Sequence, residues 1–174
     1  MLQRTRAQTV AKIYQDFFRR FPDWEEIAQT DELELGEFLK PLGLWRTHSK
    51  RLKNLAIYAG HRKGLFSETA EELREVPAVG QYVANAILLF QHRQRKPLLD
   101  VNKARLIERY VRPRRLTNIR YDPWLQVAAH WLVRLGDPIE TNWAALDYSS
   151  IVCSIGQPQC SNCYLHSRCA KPFG

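Results

Sequence analysis

An all-α fold is predicted by three features of the sequence. Apolar residues recur three and four positions apart in segment after segment, the spacing of one helix face. Prolines, glycines and short polar side chains fall between those segments, where helices start and stop. No convincing strand, low-complexity tract or long linker interrupts the pattern.

The elements follow in order. Val10, Ile13, Tyr14, Phe17, Phe18 and Phe21 mark one face of a helix over residues 3–21, which Pro22-Asp23 ends. A short helix is expected over 24–28. Thr30 or Asp31 then serves as N-cap of a helix carrying Leu33, Leu35, Phe38 and Leu39. Residues 41–45 (Pro-Leu-Gly-Leu-Trp) read as a turn. Leu52, Leu55, Ala56 and Ala59 give a helix over 47–59 with Gly60 as its C-cap. In the helix expected over 67–75, Thr69 and Glu72 make a capping box. Residues 76–80 (Val-Pro-Ala-Val-Gly) form the next turn, with Pro77 fixing φ and Gly80 expected at the positive φ a tight turn needs. Tyr82, Ala86, Leu89 and Phe90 mark the helix that follows, whose first N–H groups offer a site for a phosphate. Ala104, Leu106, Ile107 and Tyr110 predict a helix over 102–111 that Pro113 stops. Pro123 opens one running to Leu135 and capped by Gly136, and a last one covers 142–152.

Composition narrows the class of partner. The 174 residues suit one domain or two small lobes, and 45% hydrophobic residues can bury a core. A formal net charge of +8 favours polyanions, with basic residues grouped at 46–53, 93–96 and 112–115, and nucleic acid is the expected partner. No stretch approaches the roughly twenty apolar residues of a membrane span, and the N-terminus does not read as a secretory signal. All four cysteines lie in the last 22 residues as C-x6-C-x2-C-x5-C, which is unlike a secreted disulfide framework. A reducing cytoplasm is the expected setting, at the nucleoid and as a monomer.

Three motifs stand in order: the 76–80 turn between helices, Leu-Leu-Asp100-Val-Asn102 twenty residues on, and Cys153, Cys160, Cys163 and Cys169. This arrangement resembles the helix-hairpin-helix DNA glycosylases, in the iron–sulfur branch that includes endonuclease III and the adenine and thymine/uracil mismatch glycosylases. The resemblance covers nearly the whole chain. It implies a two-lobed fold, with a helical barrel lobe over 1–94 containing the hairpin at about 69–92, and a lobe over 95–174 with the aspartate helix and the cluster loop at 153–169. The match begins inside a helix that is longer in the family, with residues 1–5 on an interior segment. An N-terminal helix, and the glutamate just upstream in the adenine and thymine relatives, are therefore expected to be missing through a shortened reading of the gene, leaving apolar surface exposed. Ala78 stands where the family has glycine, and a positive φ there would strain the hairpin.

The chemistry implied is hydrolysis of a glycosidic bond. Asp100 is the expected catalytic carboxylate, placed to stabilise positive charge on the sugar and to activate water; it also reads as an ordinary N-cap, and both can hold. Tyr82 occupies the position where the bifunctional enzymes carry a Schiff-base lysine, so the resemblance implies a monofunctional enzyme that uses water. Lys103 lies outside the lysine position and is expected to be a phosphate contact or solvated surface. For the DNA, Gln3 is implied as the plug for the vacated stack and Leu44 as a wedge, with Val76, Pro77, Ala78, Val79, Gly80 and Gln81 gripping the backbone. Four cysteines can hold zinc or iron–sulfur. Zinc ribbons show two C-x2-C pairs where this chain has one, and the uneven spacing matches the glycosylase [4Fe-4S] loop. His166 inside that loop is expected to be exposed.

The reading is a base-excision DNA glycosylase acting on thymine or uracil opposite guanine in duplex DNA. An adenine mismatch glycosylase is the alternative among enzymes, disfavoured because the chain ends five residues after Cys169, without the C-terminal domain of those enzymes. A mismatch- or damage-binding protein with little or no turnover is the alternative of another class.

Overall fold

The computed structural model describes residues 7–113 and 118–171. Among the described residues it is helical without strands: α1 (Ala7–Arg20), α2 (Trp24–Gln29), α3 (Glu32–Leu39), α4 (Trp45–Gly60), α5 (Ala70–Arg74), α6 (Gln81–Phe90), α7 (Val101–Val111), α8 (Pro123–Leu132) and α9 (Pro138–Ile151). The all-α expectation holds. No described helix is long and apolar enough to cross a membrane. The chain gathers into two compact units, Met1–Gly80 and Gln81–Gly174.

In the first unit, the apolar face read from the sequence of α1 closes on α3 and the turn after it. Phe17, Phe21, Leu35, Leu39 and Leu42 are buried together, and the Phe38 ring packs edge-on at 5.8 Å from Phe17 and 5.5 Å from Phe21. α4 lies against α2 and α3. The approach of Trp45 to α3 is close, since a Cβ at Gly36 would fall 2.6 Å from its ring. Helix starts follow local chemistry: Asp23 accepts the Glu26 N–H, Asp31 those of Leu33 and Glu34, and Thr69 that of Glu72. Asp31, rather than Thr30, is thus the cap of α3; Thr30 closes α2.

In the second unit, Ala104, Ile107, Leu125 and Ala129 form a core between α7 and α8, and α9 also packs on α7. α6 meets α9 through a stacked Phe90–Trp143 pair with centroids 5.7 Å apart. The chain end is strapped to α7 by Ala170 N–H to Tyr110 O (3.0 Å) and Lys171 N–H to Arg109 O (3.1 Å).

Glycine punctuation was misassigned in three places. Gly60 is the last residue of α4, and it is Gly64, at φ +75, whose N–H returns to Ala59 O. α8 stops at Leu132, short of Gly136, because the Arg95 guanidinium takes up the Val133 and Gly136 carbonyls at 3.2 and 2.7 Å. Gly80 is not at positive φ; Ala78 is, at +64.

Candidate active site

The turn between α5 and α6 is built by its own residues. Val79 N–H donates to Val76 O at 3.1 Å, closing a four-residue turn with Pro77 second and Ala78 third. Proline second and positive φ third is the type II pattern, which favours glycine at the third position. The strain anticipated at Ala78 is therefore present. Val76 and Val79 are buried, while Pro77, Ala78 and Gly80 are exposed. Any contact with DNA from the two valines must use their backbone. A Cβ on Gly80 would meet no heavy atom within 4 Å, so this glycine leaves the backbone bare where α6 begins. Gln81 turns its amide to Gln126 Oε1 at 2.9 Å.

Leu44 is 59% exposed and sits in the left-handed region at φ +49, directly after Gly43 at φ +71. Consecutive left-handed residues push an apolar side chain into solvent at the start of α4, a strained and unfavourable display unless something else uses it. Gln3 lies outside the described residues, as do Arg114 and Arg115 of the basic run at 112–115.

Asp100 and Tyr82 both belong to the second unit. Asp100 is the N-cap of α7: Oδ1 accepts the Lys103 N–H at 2.8 Å and Oδ2 the Asn102 Nδ2–H at 3.3 Å. Each oxygen keeps a lone pair to spare, and the carboxylate is only half-buried. Tyr82 is 43% exposed, and its phenol is held above the usual range by burial and then by the Asp100 charge. The ring is thus neutral and stands in the field of the carboxylate.

Lys103 contradicts the surface role expected for it. It is fully buried, with Nζ donating to Asn142 Oδ1 at 2.6 Å, and burial pushes the ammonium down to about 8 against the opposing pull of Asp100. The reason is the wheel of α7: residues 103 and 107 stack on one inward row, 104 and 108 on the next, and all four are buried. Arg105 and Arg109 were also overlooked as site residues. The Arg105 guanidinium bonds Cys153 O (2.9 Å), Ser149 O (2.6 Å) and Asn102 Oδ1 (3.0 Å), and Arg109 reaches Ser154 O (2.7 Å) and Ile155 O (3.2 Å). Positions 105 and 109 are four apart on a helix face, the one signal in the sequence that both meet the same loop.

The four cysteines all line one pocket beside Leu106 and Tyr110. Tyr148 O–H donates to Cys163 Sγ at 3.1 Å, and Arg109 Nη1–H points to Cys153 Sγ at 3.6 Å. Among the described residues, no group of three or more His, Cys, Asp or Glu is drawn together as for a single metal ion. Tetrahedral zinc would need four sulfurs at about 2.3 Å from one centre. Four thiols that line one pocket without closing on a single point, two of them facing hydrogen-bond donors, fit a cluster of several metals better than one zinc ion. His166 is exposed.

Residues 1–119 match the family model described as HhH-GPD superfamily base excision DNA repair protein. The thymine-DNA glycosylase of Aeropyrum pernix is 31% identical over 173 residues, covering 97% of this chain and 78% of that protein. The thymine/uracil-DNA glycosylase of Methanothermobacter thermautotrophicus is 28% identical, covering 98% of this chain and 77% of that protein. Among solved structures, a thermostable thymine-DNA glycosylase superposes with a TM-score of 0.88 at 28% identity, over 97% of this chain and 78% of that one.

Proposed function

Because the chain belongs to the HhH-GPD superfamily of base-excision DNA repair proteins, and is a DNA glycosylase of that family, we propose that it is a monofunctional enzyme that releases thymine or uracil mispaired with guanine. The observation that carries this reading is the pairing of an Asp100 carboxylate with spare lone pairs and a neutral Tyr82 phenol in its field, where a lyase would place an amine.

The target nucleotide leaves the duplex, which is cheapest at a mispair. As the bond between the sugar C1′ and the base nitrogen breaks, its electron pair departs with the base and positive charge gathers on the sugar. Asp100 faces that charge, and the helix N-terminus behind it tolerates the anion. Water adds to C1′ and gives its proton to the carboxylate, leaving an abasic site; Asp100 then releases that proton to solvent, and the departed base anion takes one up to become free base. A phenol forms no Schiff base, and the nearby Lys103 amine is buried on Asn142, out of reach of a sugar. Both features support hydrolysis without strand cleavage.

The bare backbone at Gly80 and the first N–H groups of α6 suit a DNA phosphate. The exposed, strained Leu44 suits a wedge between bases. Cys153, Cys160, Cys163 and Cys169 would hold a [4Fe-4S] cluster, which when bound supplies a rigid cross-link for the loop.

The test is a panel of mispaired and damaged duplexes assayed for base release before and after alkali, with borohydride added in parallel. Strand breaks that appear only after alkali, on guanine·thymine or guanine·uracil duplexes, are expected. A covalent DNA complex trapped by borohydride would overturn the monofunctional assignment, and release confined to adenine would overturn the substrate.

A further inference from the structure

Lys103 is the most expensive side chain in the second unit. Its ammonium is fully buried, it sits in the first turn of α7 where the helix dipole already opposes a cation, and it bonds to a neutral amide rather than to a carboxylate. A methionine, one atom shorter, would fill most of the space without those penalties. What the lysine gains is a place in a closed arrangement around Asn142, itself fully buried. Asn142 Oδ1 accepts Lys103 Nζ–H (2.6 Å) and the Leu98 N–H (2.7 Å), while Asn142 Nδ2 donates to Lys96 O (3.0 Å) and Pro138 O (2.7 Å). Residues 96 and 98 lie in the non-helical segment that leads into Asp100, and residue 103 lies one turn beyond it. The same Lys103 gives its backbone N–H to Asp100 Oδ1 at 2.8 Å.

We infer that Lys103 is a positioning residue for Asp100, its ammonium joining the 96–98 approach to the first turn of α7 through Asn142 so that the carboxylate is held on both sides. The inference rests on the reading of Asp100 as the catalytic carboxylate. Charge alone predicts the opposite effect on rate. A cation that feels Asp100 opposes positive charge developing on the sugar, so a bystander lysine would slow the reaction and its removal would speed it. The sign of the change therefore separates an anchor from a bystander. Stability separates it from a core element: in Lys103→Met, Asn142 Oδ1 keeps its bond from Leu98, no polar group is orphaned, and a buried charge is gone.

The experiment uses the full chain and whichever mispaired duplex the wild type processes, under single-turnover conditions that isolate base release from product release. For Lys103→Met the expected result is base release slowed about tenfold or more, as small displacements of a reacting group cost that much. The Kd for DNA should stay within about twofold, and the melting temperature should be unchanged or higher. Lys103→Gln, neutral but still a donor towards Asn142, is expected between Met and wild type. Wild-type or faster release in Lys103→Met overturns the inference, as does a loss confined to DNA affinity. If the Met variant does not fold, Lys103→Gln carries the same outcomes: slower release at unchanged affinity supports the anchor, and wild-type release overturns it. Asp100→Asn, run alongside, separates the two levels. If it still turns over, the parent reading fails; if it is dead while Lys103→Met is normal, only the positioning role fails.

Discussion

Replacing Ala78 with glycine tests whether the hairpin turn is strained and whether that strain reaches DNA. Ala78 holds φ +64 as third residue of the turn closed by Val79 N–H to Val76 O. An L-residue in the left-handed region costs about 1–2 kcal/mol. Glycine removes that cost but loosens the unfolded chain by about 0.4–1 kcal/mol. The net gain is therefore about 0–1.6 kcal/mol with a midpoint near 0.8, a rise of roughly 2–3 °C in melting temperature for a chain of this size. Affinity for DNA changes only by the part of the strain that differs between the free and the DNA-bound turn, and rises by at most about two- to fivefold. Circular-dichroism melting and anisotropy titration of a mispaired duplex at fixed salt measure the two effects. Gly80→Ala is the counter-experiment. Gly80 is not at positive φ and its Cβ would meet nothing within 4 Å, so stability should hold or rise slightly while DNA binding falls, because the methyl group stands where a phosphate would approach. A lower melting temperature for Ala78→Gly refutes the strain argument, and unchanged DNA binding by Gly80→Ala refutes the assignment of this turn as the grip.

Three further outcomes are expected. Asp100→Asn should lower base release by at least about a hundredfold while stability and DNA binding persist, because asparagine caps a helix as well as aspartate but cannot take a proton from water; single-turnover assays and melting check both halves. Gly36→Ala should lower the melting temperature by the equivalent of up to about 2 kcal/mol, since its Cβ would lie 2.6 and 2.7 Å from two ring carbons of Trp45 and an overpacking cost of about 1–3 kcal/mol is offset by only about 1 kcal/mol of helix propensity. A rise in melting temperature would show that the ring moves freely. The purified protein should be brown and carry about four irons per chain; colourless protein with one zinc would reassign the cysteine site.

What the sequence made legible was whatever is decided locally. Asp31, Thr69 and Asp100 cap their helices because each needs only its own side chain and N–H groups two or three residues on. Pro123 opens α8 for the same reason. The glycine errors arose where the outcome depends on a partner far along the chain, as when Arg95 satisfies the carbonyls at 133 and 136. Ala78 is subtler: the turn closes on Val79 rather than on Gly80, so the positive φ falls two residues earlier than glycine preference suggests. Lys103 escaped because a charge normally marks a solvated face, and only the row it shares with Ile107 argued otherwise. Asn142 has no local signature at all, since its four partners come from residues 96, 98, 103 and 138.

These long-range bonds give α7 two tasks that bear on each other. Its first turn carries Asp100 and, through Lys103 and Asn142, holds the segment that leads to it. One to three turns further on, Arg105 and Arg109 are satisfied by the Ser149 carbonyl and by those of Cys153, Ser154 and Ile155, and the end of the helix takes the Ala170 and Lys171 N–H groups. A guanidinium held against α7 needs such acceptors, because without them its desolvation is uncompensated. The cysteine loop supplies them only while its carbonyls stay turned towards the helix. The loop is folded by its own short turns, among them Cys163 N–H to Cys160 O (3.1 Å) and Cys169 N–H to His166 O (3.1 Å), and its four cysteines line one pocket with Leu106, Arg109 and Tyr110 of α7. The loop is thereby tied through Arg105 and Arg109 to the helix whose opposite end presents Asp100.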